Sequence, residues 1–243
     1  MYWEGGLLAK KNKSEVEQEL KISVSVDDLE KVFKAFAGQV KKRQIQHKFL
    51  PRDYYDTDNL DMYAAGVSLR IQYKPGEKGK LGSYEQTVKF ELPPEGEVIN
   101  GALYRKECKD VLSGNTPEVD DLHDVDADDV MNPFKNKRLS HIFTAAIERR
   151  YFNVEAGKGK DWGEVELAFD VGKISLPAYG LHQPFAEIEV EIKNGSPKAI
   201  AAIKDEIFKI APSAKIQSDA KSGQGSKFYR ETEKKLGKPP RAP

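Results

Sequence analysis

The sequence predicts an α+β fold: a mainly antiparallel, eight-stranded β-barrel, or tunnel, with helices packed outside it. About eight segments alternate apolar and polar residues with the period-two repeat of a strand. The links between these segments are too short for the crossovers that parallel strands need, so neighbours pair antiparallel. Several strands also carry charge along one whole face, and a closed barrel turns one face of its sheet into a lumen.

In chain order, residues 1–13 read as a flexible leader, and residues 15–26 alternate as the first strand. Asp27 or Asp28 then fits the cap of a helix. Its apolar residues Leu29, Val32, Phe33 and Phe36 recur at i, i+3, i+4 and i+7, and Gly38 fits its end. Residues 44–56 read as a strand interrupted by Pro51, and "AAGVSLRIQYK" (64–74) as the next. The glycine-rich turn "KPGEKGKLGS" leads to strands "YEQTVKFEL" (84–92) and "ALYRKECKDV" (102–111). Residues 113–141 break the pattern. The acidic run "EVDDLHDVDADDVMNPF" reads as an insertion of loop and short helix, without the glycine and ligand spacing of a calcium loop. Strands resume at "AAIERRYFNVE" (145–155), "WGEVELAFDVGKI" (162–174) and "FAEIEVEIKNG" (185–195). Ser196 caps a second helix, Pro197 suits its first turn, and Ile200, Ile203, Ile207 and Ile210 form its apolar stripe. "KSGQGSKFYR" reads as a loop or short segment, and residues 232–243 as a disordered tail. All the elements fall in one domain, 14–231.

Composition narrows the function. Thirty-nine basic and 39 acidic residues in 243 leave no net charge, which argues against a nucleic-acid coat or a polybasic membrane binder. Cys108 is the only cysteine, so no intramolecular disulfide forms. No window approaches the ~18 apolar residues of a membrane span. The N-terminal stretch has no signal-peptide run, so the expected compartment is the cytoplasm. His47, His123, His141 and His182 are isolated, without ligand spacing. "GEKGKLG" lacks the Gly-Lys-Ser/Thr ending of a P-loop, and no nucleophile elbow is present.

The charged faces carry the chemistry. "EVEQELK" sets Glu15, Glu17, Glu19 and Lys21 on one face, "GEVELAFD" sets Glu164, Glu166 and Asp170, and "EIEVEI" sets Glu187, Glu189 and Glu191. Like charges about 4 Å apart cost ~4 kcal/mol at an effective dielectric near 20, so such rows want a counter-charge. Carboxylate oxygens suit a hard divalent cation. Lys89, Arg105 and other basic residues on neighbouring strands suit phosphate. A lumen with both could hold a metal–polyphosphate complex.

Glu17-x-Glu19-x-Lys21 resembles the ExExK signature of the CYTH family, the triphosphate tunnel metalloenzymes. "YYDTDNLDMYAAGVSLRIQ", "YEQTVKF", "YRKE", "IERRYFNV", "VELAFDVGKI", "EIEVEI" and "GSKFY" are similar to its later motifs, in order, over roughly residues 15–230. The resemblance implies a tunnel that hydrolyses triphosphate compounds, inorganic tripolyphosphate above all, with Mg2+ or Mn2+. It implies Glu17, Glu19, Glu187 and Glu189 as metal ligands, with Asp170 at a second metal or positioning water. Lys21, Arg70, Lys89, Arg105 and Arg150 would grip phosphate, with Lys21 and Arg70 closest to the chemistry. Lys227 of "GSKFY" is preferred for the C-terminal Ser-Lys element, with Lys221 of "SDAKS" the alternative. Gln72 stands where the family often has arginine, and Glu148 where a basic residue is common. Class IV adenylate cyclase, thiamine triphosphatase and a non-catalytic polyphosphate-binding barrel stay open, and Trp162 and Tyr104 are the residues a ring could stack on. The expected partner is a small-molecule triphosphate, with neither nucleic acid nor membrane, in a monomer or homodimer.

Overall fold

The computed structural model describes residues 13–76, 81–93, 99–120 and 122–237. Its long strands are β1 (Lys13–Ser23), β2 (Gln46–Asp56), β3 (Val67–Lys74), β4 (Ser83–Glu91), β5 (Leu103–Leu112), β6 (Ser140–Ala156), β7 (Gly163–Leu176) and β8 (Leu181–Gly195). They run antiparallel in the order β5-β4-β3-β2-β6-β7-β8-β1, and β1 pairs again with β5. That last pairing closes the barrel. A two-residue β9 (Lys215–Ile216) adds to β1. The helices are α1 (Val26–Ala37), α2 (Asp61–Ala64), α3 (Val125–Met131), α4 (Lys198–Ile210) and α5 (Lys221–Lys235). None is long and apolar enough to cross a membrane.

Register decides which side chains face inward. Along β7, Val165, Leu167 and Phe169 point outward with Ile188 and Val190 of β8, and α1 and α4 cover them with Leu29, Val32, Phe36, Ile200, Ile203 and Ile207. A second outer cluster joins Met62, Val88, Phe90 and Cys108 to Ala127 and Met131 of α3. Near one end the inner face itself turns apolar. Ala145, Ile147, Ile174 and Leu176 gather there with Phe228 and Tyr229 of α5. The apolar cores therefore lie outside the sheet and across one end, and the rest of the interior is free to be charged.

Local chemistry adjusts several expected boundaries. Ser25, two residues before Asp27, caps α1: its hydroxyl accepts from the Asp28 N–H at 3.1 Å, and Asp27 and Asp28 sit in the first turn, where the dipole favours them. Pro51 does not interrupt β2. β3 joins β2 only at Asp53–Tyr55, so the missing N–H falls on an open edge. Ser196 reaches only the Lys198 N–H, at 3.3 Å, and Pro197 takes the cap position of α4. "KSGQGSKFYR" is helical, and α5 continues to Lys235, past the expected start of the tail. Residues 1–12 and 238–243, most of the expected leader and tail, lie outside the described residues.

Candidate active site

The inner faces of seven strands and the start of α5 enclose a cavity of about 190 Å3. β1 supplies Glu15, Glu17, Glu19 and Lys21, β2 Arg52 and Tyr54, and β3 Ser68, Arg70, Gln72 and Lys74. β4 adds Glu85 and Lys89, β5 Arg105, Glu107 and Lys109, and β6 Arg149. β8 adds Glu189, Glu191 and Lys193, and α5 adds Lys221 and Ser222. The cross-strand register sets Glu17 opposite Arg105 and Lys21 opposite Glu189, but also Glu15 opposite Glu107 and Glu19 opposite Glu191.

These charges form a continuous network. Lys21 Nζ donates to Glu19 at 2.9 Å and also to Glu189. Arg105 holds the other oxygen of Glu19. Burial would push the Glu19 carboxyl up, but Lys21 and Arg105 outweigh it and hold it down at about 2. Lys89 bridges Glu17, at 2.5 Å, and Glu107, which also takes Arg70 at 3.3 Å and Lys109 at 2.8 Å. Glu17 behaves differently. Burial, only partly offset by Lys89, raises it to about 7, and it shares a hydrogen bond with the Glu107 carboxyl. Arg149 grips Asp170 with two bonds of 2.7 Å and reaches Glu189 as well. Lys221 Nζ lies 2.7 Å from Asp170 and 2.7 Å from Glu189, and also contacts Glu187. Burial would strip its proton, yet those three carboxylates hold its pKa above the usual lysine value.

Among the described residues, two carboxylate groups could hold a cation. Asp170, Glu187 and Glu189 each offer an oxygen, all within 4.8 Å of one another, and so do Glu15, Glu17 and Glu107. The first group already surrounds a cation, the Lys221 ammonium, and its donors are the hard oxygens that Mg2+ and Mn2+ take. The residues present therefore fit a divalent ion.

The CYTH domain model matches residues 15–224 of this sequence. The chain belongs to the CYTH family. A candidate adenylate cyclase from Bacillus halodurans shares its fold at a TM-score of 0.54 and 19% identity, over 86% of this chain and 96% of that one. So does a candidate adenylyl cyclase from Hippeastrum, described as revealing a dominant triphosphatase activity, at a TM-score of 0.51 and 12% identity, over 89% and 96%. Among curated proteins, none matches the sequence.

Most positions drawn from the CYTH motifs do meet in the barrel. Glu17, Glu19, Lys21, Arg70, Lys89, Arg105 and Glu189 line the cavity. Asp170 and Glu187 lie beneath it, buried, and touch it through Lys221. The five expected metal ligands divide. Glu17 stands with Glu15 and Glu107, Glu19 is held by Lys21 and Arg105, and the other three form the second group.

One CYTH assignment moves by a residue of strand register, and another falls to its alternative. Arg150 faces outward, its guanidinium 3.8 Å above the Phe33 ring and paired with Glu30 of α1. Arg149, its neighbour, is the cavity residue, and Glu148 shares the outer face with Arg150, so it subtracts nothing from the site. Lys227 sits one and a half turns into α5, bonded to Asp219 at 2.5 Å with 43% of its side chain exposed, whereas Lys221 is 3% exposed inside the barrel. Gln72 does face the cavity, but it accepts from Arg52 Nε at 3.3 Å, so a guanidinium stands beside it after all. Burial, with Arg70 and Arg149 nearby, pushes Arg52 down to about 10. Arg52 and Tyr54 alternate with outward residues just before the Asp-Thr of the motif, a parity signal that would have placed both inside. Trp162 and Tyr104 are not among the lining residues.

Proposed function

We propose that the protein hydrolyses triphosphate compounds, inorganic tripolyphosphate first among them, to pyrophosphate and phosphate, with Mg2+ or Mn2+ as cofactor. The lining carries this reading. It interleaves basic and acidic side chains, and among the described residues Tyr54 is the one aromatic that lines it. A guest that matches such walls brings both signs, as a metal–polyphosphate complex does. A nucleobase or thiazolium ring would want an aromatic platform. Tyr54 offers little of one, because its face is stacked on Phe143 at 4.4 Å.

A divalent ion held by the carboxylate groups would neutralise phosphate oxygens and lower the pKa of a bound water. The chain's own residues do the rest. Arg52, Arg70, Arg105 and Arg149 offer planar forks for phosphate oxygens, and Lys21, Lys89 and Lys221 offer point charges. Carboxylates already hold these cations in place, so the wall that would stabilise the leaving pyrophosphate needs little reorganisation. Asp170 acts through others, fixing Arg149 and Lys221. The triphosphatase activity described for the Hippeastrum protein supports the reading by family analogy. The cytoplasm remains the proposed compartment.

The test is phosphate release from tripolyphosphate, ATP, GTP and thiamine triphosphate, with Mg2+ and Mn2+ in parallel and cAMP assayed from ATP. Tripolyphosphate turnover that is lost in the double variant Glu17→Gln, Glu19→Gln supports the proposal. Formation of cAMP would make the protein a cyclase, and tripolyphosphate binding without turnover would make it a binding barrel. Activity surviving in the double variant would sink the metal assignment.

A further inference from the structure

Carboxylates of the protein hold nearly every cation on the cavity wall. All six lysines of the lining pair with at least one. So do Arg70, Arg105 and Arg149. Arg52 is the exception. Among the described residues no carboxylate pairs with it, and its side-chain hydrogen bond goes to a neutral group, from Nε to the amide oxygen of Gln72 at 3.3 Å. Burial and the like charges of Arg70 and Arg149 all work against its own charge.

The register accounts for the exception. β3 pairs with β2 only at Asp53–Tyr55, and Arg52 is the first residue past that pairing. From there the two strands meet through the Arg52 and Gln72 side chains, both of which face the cavity. An amide oxygen fixes a guanidinium at Nε without cancelling its charge. It also leaves the two terminal NH2 groups, which can fork onto a phosphate. The Arg52 side chain is half-buried and lines the cavity, so those groups stay within reach of a ligand.

We propose that Arg52 is the charge anchor of the site, the cation that a bound polyphosphate neutralises in place of a protein carboxylate, and that Gln72 is its positioning residue. The proposal deepens the triphosphatase reading and rests on it for the ligand. In the empty barrel Arg52 is an unpaired charge in a confined space, which costs stability. Bound phosphate supplies the missing partner. Loss of this charge should therefore weaken ligand binding without weakening the empty fold, whereas a structural arginine would show the reverse. Gln72, where the CYTH motif often has arginine, then suits the site. A second arginine there would repel Arg52, and a carboxylate would cancel it.

Gln72→Glu is the test. It gives Arg52 the carboxylate that the other cations already have, in a side chain of nearly the same shape. The probe is imidotriphosphate, tripolyphosphate with NH in place of its bridging oxygens, which binds without being hydrolysed. Calorimetry of the full chain with Mg2+ reads its affinity, and thermal melts without ligand read the fold. Gln72→Glu should bind the probe roughly tenfold more weakly and melt no lower than wild type. Arg52→Gln should show the same pair of results, and Arg52→Lys, which keeps the charge but not the fork, should recover part of the affinity. Wild-type affinity in Gln72→Glu or in Arg52→Gln would overturn the anchor. A lower melting temperature in both would overturn it equally, since the pair would then serve the fold. If tripolyphosphate is not turned over while probe binding still depends on Arg52 and Gln72, the anchor stands and the reaction falls.

Discussion

Arg149 and Arg150 are adjacent in sequence and opposite in role. The motif "IERRYFNV" is charged on both faces, so alternation alone does not say which arginine enters the barrel. The answer lies in β7: Arg149 opposes Asp170, whose neighbours Phe169 and Val171 face the helices. Arg149→Ala should therefore lower kcat/KM for tripolyphosphate by at least a hundredfold in steady-state assays, because it also releases two buried carboxylates. Arg150→Ala should leave turnover within threefold and cost about 1 kcal/mol of stability through its lost contact with Phe33, read from a denaturant melt. Glu17 gives the pH signature. Its carboxyl is raised to about 7 from an ordinary value of 4.5, so cation binding must displace its proton, and affinity for Mg2+ should climb between pH 6 and 8 with proton release. In the metal-free protein the sign reverses. A raised carboxyl contributes stability that is complete below 4.5 and lost as the pH rises through 7. Melting wild type and Glu17→Gln across that window isolates the effect, and parallel pH profiles would refute it.

At the scale of elements, the strands could be read from the sequence and α5 could not. Strands show themselves by alternation, and each long one expected is present. α5 contains Gly223 and Gly225, and each glycine lowers helix propensity by about 1 kcal/mol relative to alanine. Gly225 has a packing reason that only the fold reveals. A Cβ there would lie 2.3 Å from the ring of Phe143, so helix and barrel meet too closely for any side chain. The same contact hid the site lysine, since Lys221 enters the barrel only because a helix carries it across the end. Lys221→Ala would take the shared ammonium from Asp170, Glu187 and Glu189, leaving Arg149 on Asp170 and Glu189 and Lys21 on Glu189. The expected cost is about 3–5 kcal/mol, or roughly 10 °C in a domain of this size. Thermal melts should show the loss in EDTA and substantial recovery in millimolar Mg2+. A variant equally unstable in both buffers would mean that this group holds no ion.

The whole molecule is a barrel turned inside out relative to the common small barrel. Its charge is inside, and the apolar packing that stabilises it lies between the sheet and α1 and α4. Stability and activity should therefore separate in space. Ile200→Ala, at a position with no exposure, should cost about 2–4 kcal/mol in denaturant unfolding while leaving the KM for tripolyphosphate unchanged at low temperature. A shifted KM would mean that the helical coat shapes the cavity as well as supporting it. Closure also sets an order of assembly. β1 carries Glu17, Glu19 and Lys21, yet Lys21 meets Glu189 only across 168 residues of chain. At a synthesis rate of about 5–20 residues per second, the first strand waits roughly 10–30 s for the partner that completes its pocket. Its alternating glutamates keep it soluble and repel a second nascent copy during that interval. The same row of acids that lines the finished cavity would thus first act as a charge barrier between unpaired copies of the strand.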